Sequence, residues 1–345
     1  MRKSFTNAKP FSCIAPYYPP PEFEKLFTIE DLPNCYGIRT TQEFTSKISE
    51  KDALESRLGL SVIDSPFTLE AIGGATLLKQ WTKNLLKAEE NGYRAKGVFL
   101  VGIPGTGKTF FPKCFAGETK RLLIQLNLTL IMESEQPIRK LNQIFEYLSN
   151  RCREFPNEKY VLLIDEIEKM IGNAEPIEKR MLGRLLTVLN DINTEASEYE
   201  FNAIFFATAN NLGSILVNNP EFLRRGRWDE LFFINLPTIE SAKEIFTIYA
   251  KKFSLQDIFL EYEIEQLMSD IAHAYQDRNN QASRFPYTAS EIETFCKRLD
   301  FMRKAKGSVG VEEIDECIKA VIPIVVSAEE GINKMAAQKE LFVEI

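Results

Sequence analysis

The sequence predicts an open α/β fold, a parallel sheet with helices on both faces, followed by a small all-α domain. Three observations carry that expectation. Five short apolar runs, GVFLVG (97–102), RLLIQL (121–126), YVLLID (160–165), AIFFAT (203–208) and FFINLP (232–237), alternate with stretches of helical periodicity. Buried parallel strands joined by crossover helices give this pattern. From Thr238 onward only helical stretches remain, ESAKEIFTIYAKKF, IEQLMSDIAHAYQ, ASEIETFCKRLDFMRKA and VEEIDECIKAVI. The first apolar run also ends in a glycine-rich turn, GIPGTGKT at 102–109, where a strand should hand over to a helix.

In chain order, residues 1 to about 30 are rich in proline and aromatics and read as an extended arm. KISEKDALESRLGL (47–60) reads as a short amphipathic helix, closed by a turn at Asp64, Ser65 and Pro66. Residues 1–65 are therefore set apart as an arm and short helix. The sheet-bearing core is assigned to 66–237, and it opens with the helix TLLKQWTKNLLKAEENG (76–92), which stops at a glycine. Pro112 falls inside the helix expected after the glycine-rich turn, where it forfeits one backbone bond. Residues 238–345 form the helical lid and C-terminal helices.

The chain has 345 residues, 44% of them hydrophobic and 26% charged, enough for a substantial core and two domains. A formal net charge of -7 gives no basic footprint for nucleic acid or anionic membranes. The apolar runs fall short of the roughly 20 residues that span a bilayer. No apolar h-region follows the N-terminal basic residues, so a secretory signal is not expected. The cysteines at 13, 35, 114, 152, 296 and 317 form no C-x-x-C pair and fit small buried groups in a reducing cytoplasm or a stroma-like compartment. A single histidine, His273, leaves no material for a Ser-His-Asp triad or a histidine-rich zinc site.

The chemistry concentrates in four segments. GIPGTGKT fits the phosphate-binding G-x-x-x-x-G-K-[ST] loop: its glycines let successive N–H groups point at one anion, and the following helix adds its positive end. Lys108 would reach the β- and γ-phosphates, and Thr109 would hold Mg. The run at 160–164 ends in Asp165 and Glu166, at the carboxyl end of a strand, where open α/β sheets bind ligands. Asp165 can then assist Mg while Glu166 orients water, although acidic residues also end strands without any such role. Asn210 follows the next strand, and a neutral amide there can donate to a phosphate and accept from water; a plain loop asparagine is the alternative. Arg224, Arg225 and Arg227 suit arginine fingers or a solvated surface cluster.

GIPGTGKT, LLIDEIEK, ATAN and LRRGRWDE resemble the Walker A, Walker B, sensor 1 and arginine-finger segments of AAA+ ATPases. IGGATLLKQW (72–81), TASEIE (288–293) and AVIPIVVSAEEGI (320–332) extend the resemblance to AAA ATPases encoded in chloroplast genomes and cyanobacteria, over roughly residues 47–340. It implies a P-loop NTPase sheet, the AAA+ core, with an all-α lid. It further implies nucleotide contacts at Gly105, Thr106, Gly107, Lys108 and Thr109, Mg at Thr109 and Asp165, water at Glu166, and sensor 1 at Asn210. Arg224 and Arg227 align with arginines that reach a neighbouring subunit's ATP, which implies a ring, commonly a hexamer; Arg225 replaces a proline.

The resemblance also has departures. Relatives carry a long N-terminal domain, whereas about 65 residues precede the core here, so a partner-binding module is expected to be missing. NLTLIMESE (127–135) stands where unfoldases place an aromatic and a glycine in a pore loop, and Leu130, Ile131 and Met132 are expected in core or interface rather than on substrate. Thr288, Ala289 and Ser290 replace Ser-Gly-Ala, without a sensor 2 arginine. The leading expectation is a Mg- and ATP-dependent ring ATPase that remodels a protein partner, with neither membrane nor nucleic acid involved. A slow nucleotide-dependent binding switch and a DNA-handling loader remain as alternatives.

Overall fold

The computed structural model describes residues 58–171, 175–192, 197–224, 226–275, 284–327 and 342–345. The N-terminal arm, most of the 47–60 helix, Cys13, Cys35 and Arg225 lie outside the described residues.

Among the described residues seven strands form one sheet: β1 (Leu60–Ile63), β2 (Gly97–Gly102), β3 (Leu122–Leu126), β4 (Tyr160–Ile164), β5 (Ala203–Ala209), β6 (Glu230–Ile234) and β7 (Val343–Glu344). Their spatial order is β1-β3-β4-β5-β2-β6-β7. β2 through β6 are the five predicted strands, all parallel where they pair. β2, β4 and β5 are buried along their whole length, which explains why they read as unbroken apolar runs rather than alternating ones.

The two outer strands correct the sequence reading. Leu60, expected as a helix end, sits in β1, which pairs antiparallel with β3 so that Leu60 faces Leu126. Gly59 stands just before it at φ 71°, a conformation glycine takes without a Cβ penalty. At the opposite edge β7, from a segment read as helical, pairs parallel with β6. Both strands lie outside the 66–237 span of the expected core.

Helices α1 (Thr76–Glu90), α2 (Phe110–Glu118), α3 (Leu128–Met132), α4 (Pro137–Glu154), α5 (Glu168–Ile171), α6 (Pro176–Asp191) and α7 (Leu212–Asn218) connect the strands. One face of the sheet buries Val98, Leu100, Val161, Leu163 and Phe206 with Phe111 and Phe115 of α2 and Leu78 and Leu85 of α1. Prolines at the starts of α4 and α6 occupy positions where no intrahelical N–H is needed. Pro112 sits in the first turn of α2, which begins at Phe110; the Phe111 N–H already bonds the Gly107 carbonyl at 2.9 Å, so the proline forfeits the next bond of that ladder.

Between β6 and β7 the elements among the described residues are helices, α8 (Ile239–Lys252), α9 (Gln256–Glu261), α10 (Ile264–Ala274), α11 (Ala289–Lys306), α12 (Val311–Ala320) and α13 (Ile324–Ser327). They enclose a core of their own, built on Phe246, Leu267, Ile271, Phe285, Tyr287, Phe295 and Leu299. Thr238 and Thr288 cap α8 and α11, and Thr288 forms a capping box with Glu291. Cys114, Cys152, Cys296 and Cys317 are buried free thiols, and His273 is an exposed residue of α10. No helix among the described residues is long and apolar enough to cross a membrane.

Candidate nucleotide-binding site

Residues 102–109 leave the carboxyl end of β2, Asp165 and Glu166 follow β4, and Asn210 follows β5. Because β4, β5 and β2 are adjacent, the sheet gathers at one edge the three segments that sequence spacing had kept apart. At the loop's entry Gly102 passes so close to Ile234 that a Cβ there would collide with its carbonyl oxygen, while the Ile103 N–H donates to the same carbonyl at 3.1 Å. Lys108 is buried, and its ammonium donates to the carbonyls of Gly102 at 2.9 Å and Ile103 at 2.7 Å. Burial pushes its pKa down to about 8 against the opposing pull of Glu168, Asp165 and Glu166. A buried cation held by two carbonyls, with no ion pair among the described residues, is suited to receiving an anion.

Asp165 Oδ1 accepts hydrogen bonds from Thr109 Oγ1 at 2.8 Å and from Thr208 Oγ1 at 2.5 Å. A hydroxyl and a carboxylate brought together at the loop form a hard-oxygen pair of the kind that, with phosphate oxygens, holds Mg. Thr208 also accepts the Glu166 backbone N–H at 2.9 Å. Glu166 stands at φ 51°, a left-handed conformation that costs energy for a side chain with a Cβ. That backbone is fixed from β5, through Thr208 and through the Ile167 N–H on the Thr208 carbonyl at 2.9 Å. The Glu166 carboxylate is held by Asn210 Nδ2 at 3.1 Å and pairs with Lys169. Glu168 Oε1 accepts the Asn210 backbone N–H at 2.8 Å. Its Oε2 is buried without a hydrogen-bond partner, and burial raises the pKa of the group.

The loop also meets the lid. The Ser290 N–H donates to the Gly105 carbonyl at 3.0 Å, and a Cβ on Gly105 would lie 2.9 Å from Thr288 Oγ1. Beside them a cavity of about 400 Å³ is lined by Ile72, Gly73, Thr106, Gly107, Ile245 and Tyr249, among others, a volume in the range of small-molecule sites. Gly74 donates its N–H to Glu244 Oε2 of α8 at 2.7 Å, so the segment before α1 is clasped directly to the lid.

The two arginines are not brought to this site. Arg224 is exposed after the 3-10 turn Pro220–Leu223, and Arg227 donates to the Glu221 carbonyl. Their segment is anchored by Trp228, buried against Phe99 with its indole N–H on the Phe222 carbonyl at 3.0 Å. Asp229 completes the anchor by accepting the N–H groups of Lys96 at 2.6 Å and Gly97 at 2.8 Å, and the Tyr93 hydroxyl at 2.8 Å.

The model of the ATPase family associated with various cellular activities (AAA) matches residues 98–236, the stretch that carries the loop, both acids, Asn210 and the arginine segment. Residues 98–236 are an AAA ATPase domain. The chain is 30% identical over 304 residues to the uncharacterized AAA domain-containing protein ycf46 of Guillardia theta, covering 83% of this chain and 54% of that one. It is 32% identical over 199 residues to the protein of the same description from Gracilaria tenuistipitata var. liui, covering 54% and 38%. The cell division cycle protein 48 homolog of Archaeoglobus fulgidus is 26% identical over 331 residues, covering 88% and 40%. The alignments span about half the length of these relatives, or less.

The sequence reading named the loop, the acids and Asn210, but missed several residues that surround the candidate site. Thr208 was legible as the single polar residue near the end of an apolar strand. Gly73 and Gly74 were visible as a glycine pair, yet their packing against Ile245 and Ser241 of the lid depends on tertiary structure. Tyr249 and β7 carried no local signal at all.

Proposed function

We propose that the protein is a Mg-dependent ATPase that assembles into a ring and couples hydrolysis to the remodelling of a protein partner. The observation that carries this reading is the joint at Asp165, where a hydroxyl from the phosphate-binding loop and one from β5 meet one carboxylate, with Glu166 and Asn210 hydrogen-bonded beside it. Thr109 and Asp165 would hold Mg, which neutralises charge developing on the phosphates. Gly105, Thr106 and Gly107 cradle the phosphates, and Lys108 leaves its two carbonyls to bind them. Glu166, released from Lys169, takes up the water that attacks in line, with Asn210 orienting both. Arg224 is exposed and Arg227 half-buried, both away from their own loop, a placement that supports action on a neighbouring subunit's nucleotide. The relatives from Guillardia theta and Gracilaria tenuistipitata var. liui, described as uncharacterized AAA domain-containing proteins, add the AAA class and not a substrate. The buried free thiols support a reducing compartment such as cytoplasm or stroma.

One observation favours a nucleotide-dependent binding switch instead. The segment after β3 is the capped helix α3, with Asn127 accepting the Leu130 N–H at 3.1 Å, Ile131 fully buried and Met132 half-buried, leaving Leu130 as its exposed large apolar side chain. The two readings separate by experiment. Turnover stimulated by a bound protein, and lost in Glu166→Gln, supports remodelling. Nucleotide-dependent partner affinity with negligible turnover in the wild type would replace it with the switch.

A further inference from the structure

The cavity beside the phosphate-binding loop has a wall supplied from far along the chain. β7 lies beside β6 with Val343 opposite Phe232 and Glu344 opposite Phe233. Ile345 extends the ladder, donating its N–H to the Phe233 carbonyl at 2.9 Å and accepting from the Asn235 N–H at 3.2 Å. Glu344 Oε1 accepts from Asn235 Nδ2 at 2.6 Å and from Arg284 at 2.9 Å, while the other arm of Arg284 donates to the Leu236 carbonyl at 2.9 Å. Arg284 enters the lid beside Phe285, whose N–H donates to the Pro237 carbonyl at 2.9 Å. A very short strand is thereby pinned to both the sheet and the lid entrance.

The Ile345 side chain packs on the same apolar cluster as Ile72 and Phe110. It remains half-buried, and with Glu344 it lines the cavity that also contains Gly73, Thr106 and Tyr249. We propose that Ile345 is a positioning residue for the nucleotide's base: the strand Val343–Glu344, fixed by Arg284, presents it as the wall on which the base is seated. The proposal rests on the ATPase reading above and adds to it a division of labour. The phosphate-binding loop recognises the phosphates, and Ile345 sets how tightly a base-bearing nucleotide is held.

The test is calorimetric binding of ATP and of inorganic tripolyphosphate to the full chain, with turnover measured at saturating ATP. Ile345→Ala removes apolar contact and is expected to weaken ATP about tenfold. Tripolyphosphate affinity and saturated turnover should hold, so that KM rises without a fall in kcat. Ile345→Leu should restore ATP affinity, Ile345→Trp should obstruct ATP but not tripolyphosphate, and the outward-facing Val343→Ala should change neither. Equal loss of both ligands in the Ile345 variants, or unchanged ATP affinity in Ile345→Ala and Ile345→Trp, would overturn the proposal. A wild type that binds tripolyphosphate without gaining from the base would overturn it while leaving the loop assignment intact. A wild type that binds neither would remove the ATPase reading and this inference together.

Discussion

Thr208 and Asp165 share a 2.5 Å hydrogen bond across neighbouring strands, and the same threonine oxygen accepts the Glu166 N–H at 2.9 Å. One hydroxyl thus fixes the proposed Mg ligand and the backbone of the proposed water-orienting residue together. Thr208→Val keeps the shape but strips both bonds, so we expect a loss of about 1–3 kcal/mol in denaturant unfolding. ATPase activity should fall at least about tenfold, the rate equivalent of about 1.4 kcal/mol. Thr208→Ser should retain most of both. A Thr208→Val protein with full activity would remove this joint from the mechanism.

Glu166→Gln preserves volume and an acceptor for Asn210 while abolishing the carboxylate. We expect ATP binding close to wild type and turnover reduced about 100-fold or more, in keeping with the usual contribution of a general base. Wild-type phosphate release from this variant contradicts the role given to Glu166. Chelation of Mg should reduce wild-type turnover to a similar floor.

Subunit mixing addresses the arginines. Arg227→Ala and Lys108→Ala proteins should each be inactive, whereas mixed assemblies should recover part of the activity, because an intact loop then meets an intact arginine across an interface. No recovery at equal assembly would count against action between subunits.

A Cβ on Gly73 would lie 2.5 Å from Ile245 Cγ1 and 2.7 Å from its backbone nitrogen. Backbone cannot rotate away as a side chain can, so Gly73→Ala must push α8 from the segment before α1. We expect a stability cost of about 1–3 kcal/mol and weakened ATP binding in calorimetry, whereas Gly183→Ala, with open space around it inside α6, should leave ATP binding unchanged and add about 0.5–1 kcal/mol of stability.

Asp229 supports the arginine segment from below, and its loss should separate binding from hydrolysis. Asp229→Ala is expected to lower turnover more than ATP affinity. It also has a spectroscopic signature: burial and the Asp229 hydrogen bond push the Tyr93 phenol up to about 12. Because an unfolded tyrosine ionises near 10, the native state holds its proton longer and gives up stability as pH rises from about 10 to 12. In Asp229→Ala the phenolate absorbance of Tyr93 should appear at lower pH; an unmoved titration would dissociate Tyr93 from Asp229.

By itself the sequence determined the five central strands, the phosphate-binding loop, the acids at Asp165 and Glu166 and the asparagine at 210. These are legible because burial on both faces leaves unbroken apolar runs, and because phosphate and Mg chemistry demands particular residue types at fixed short spacing. Only the tertiary structure decided what lies across the site from them. Thr208 acts through a neighbouring strand, Gly73 through contact with α8, and Ile345 through an edge strand formed with β6. β1 and β7 are too short to carry a period, and their hydrogen bonds go to partners far away in the chain. The same reason places Glu166 in a left-handed conformation that no local pattern announces: long-range bonds from β5 outweigh the local preference of its backbone.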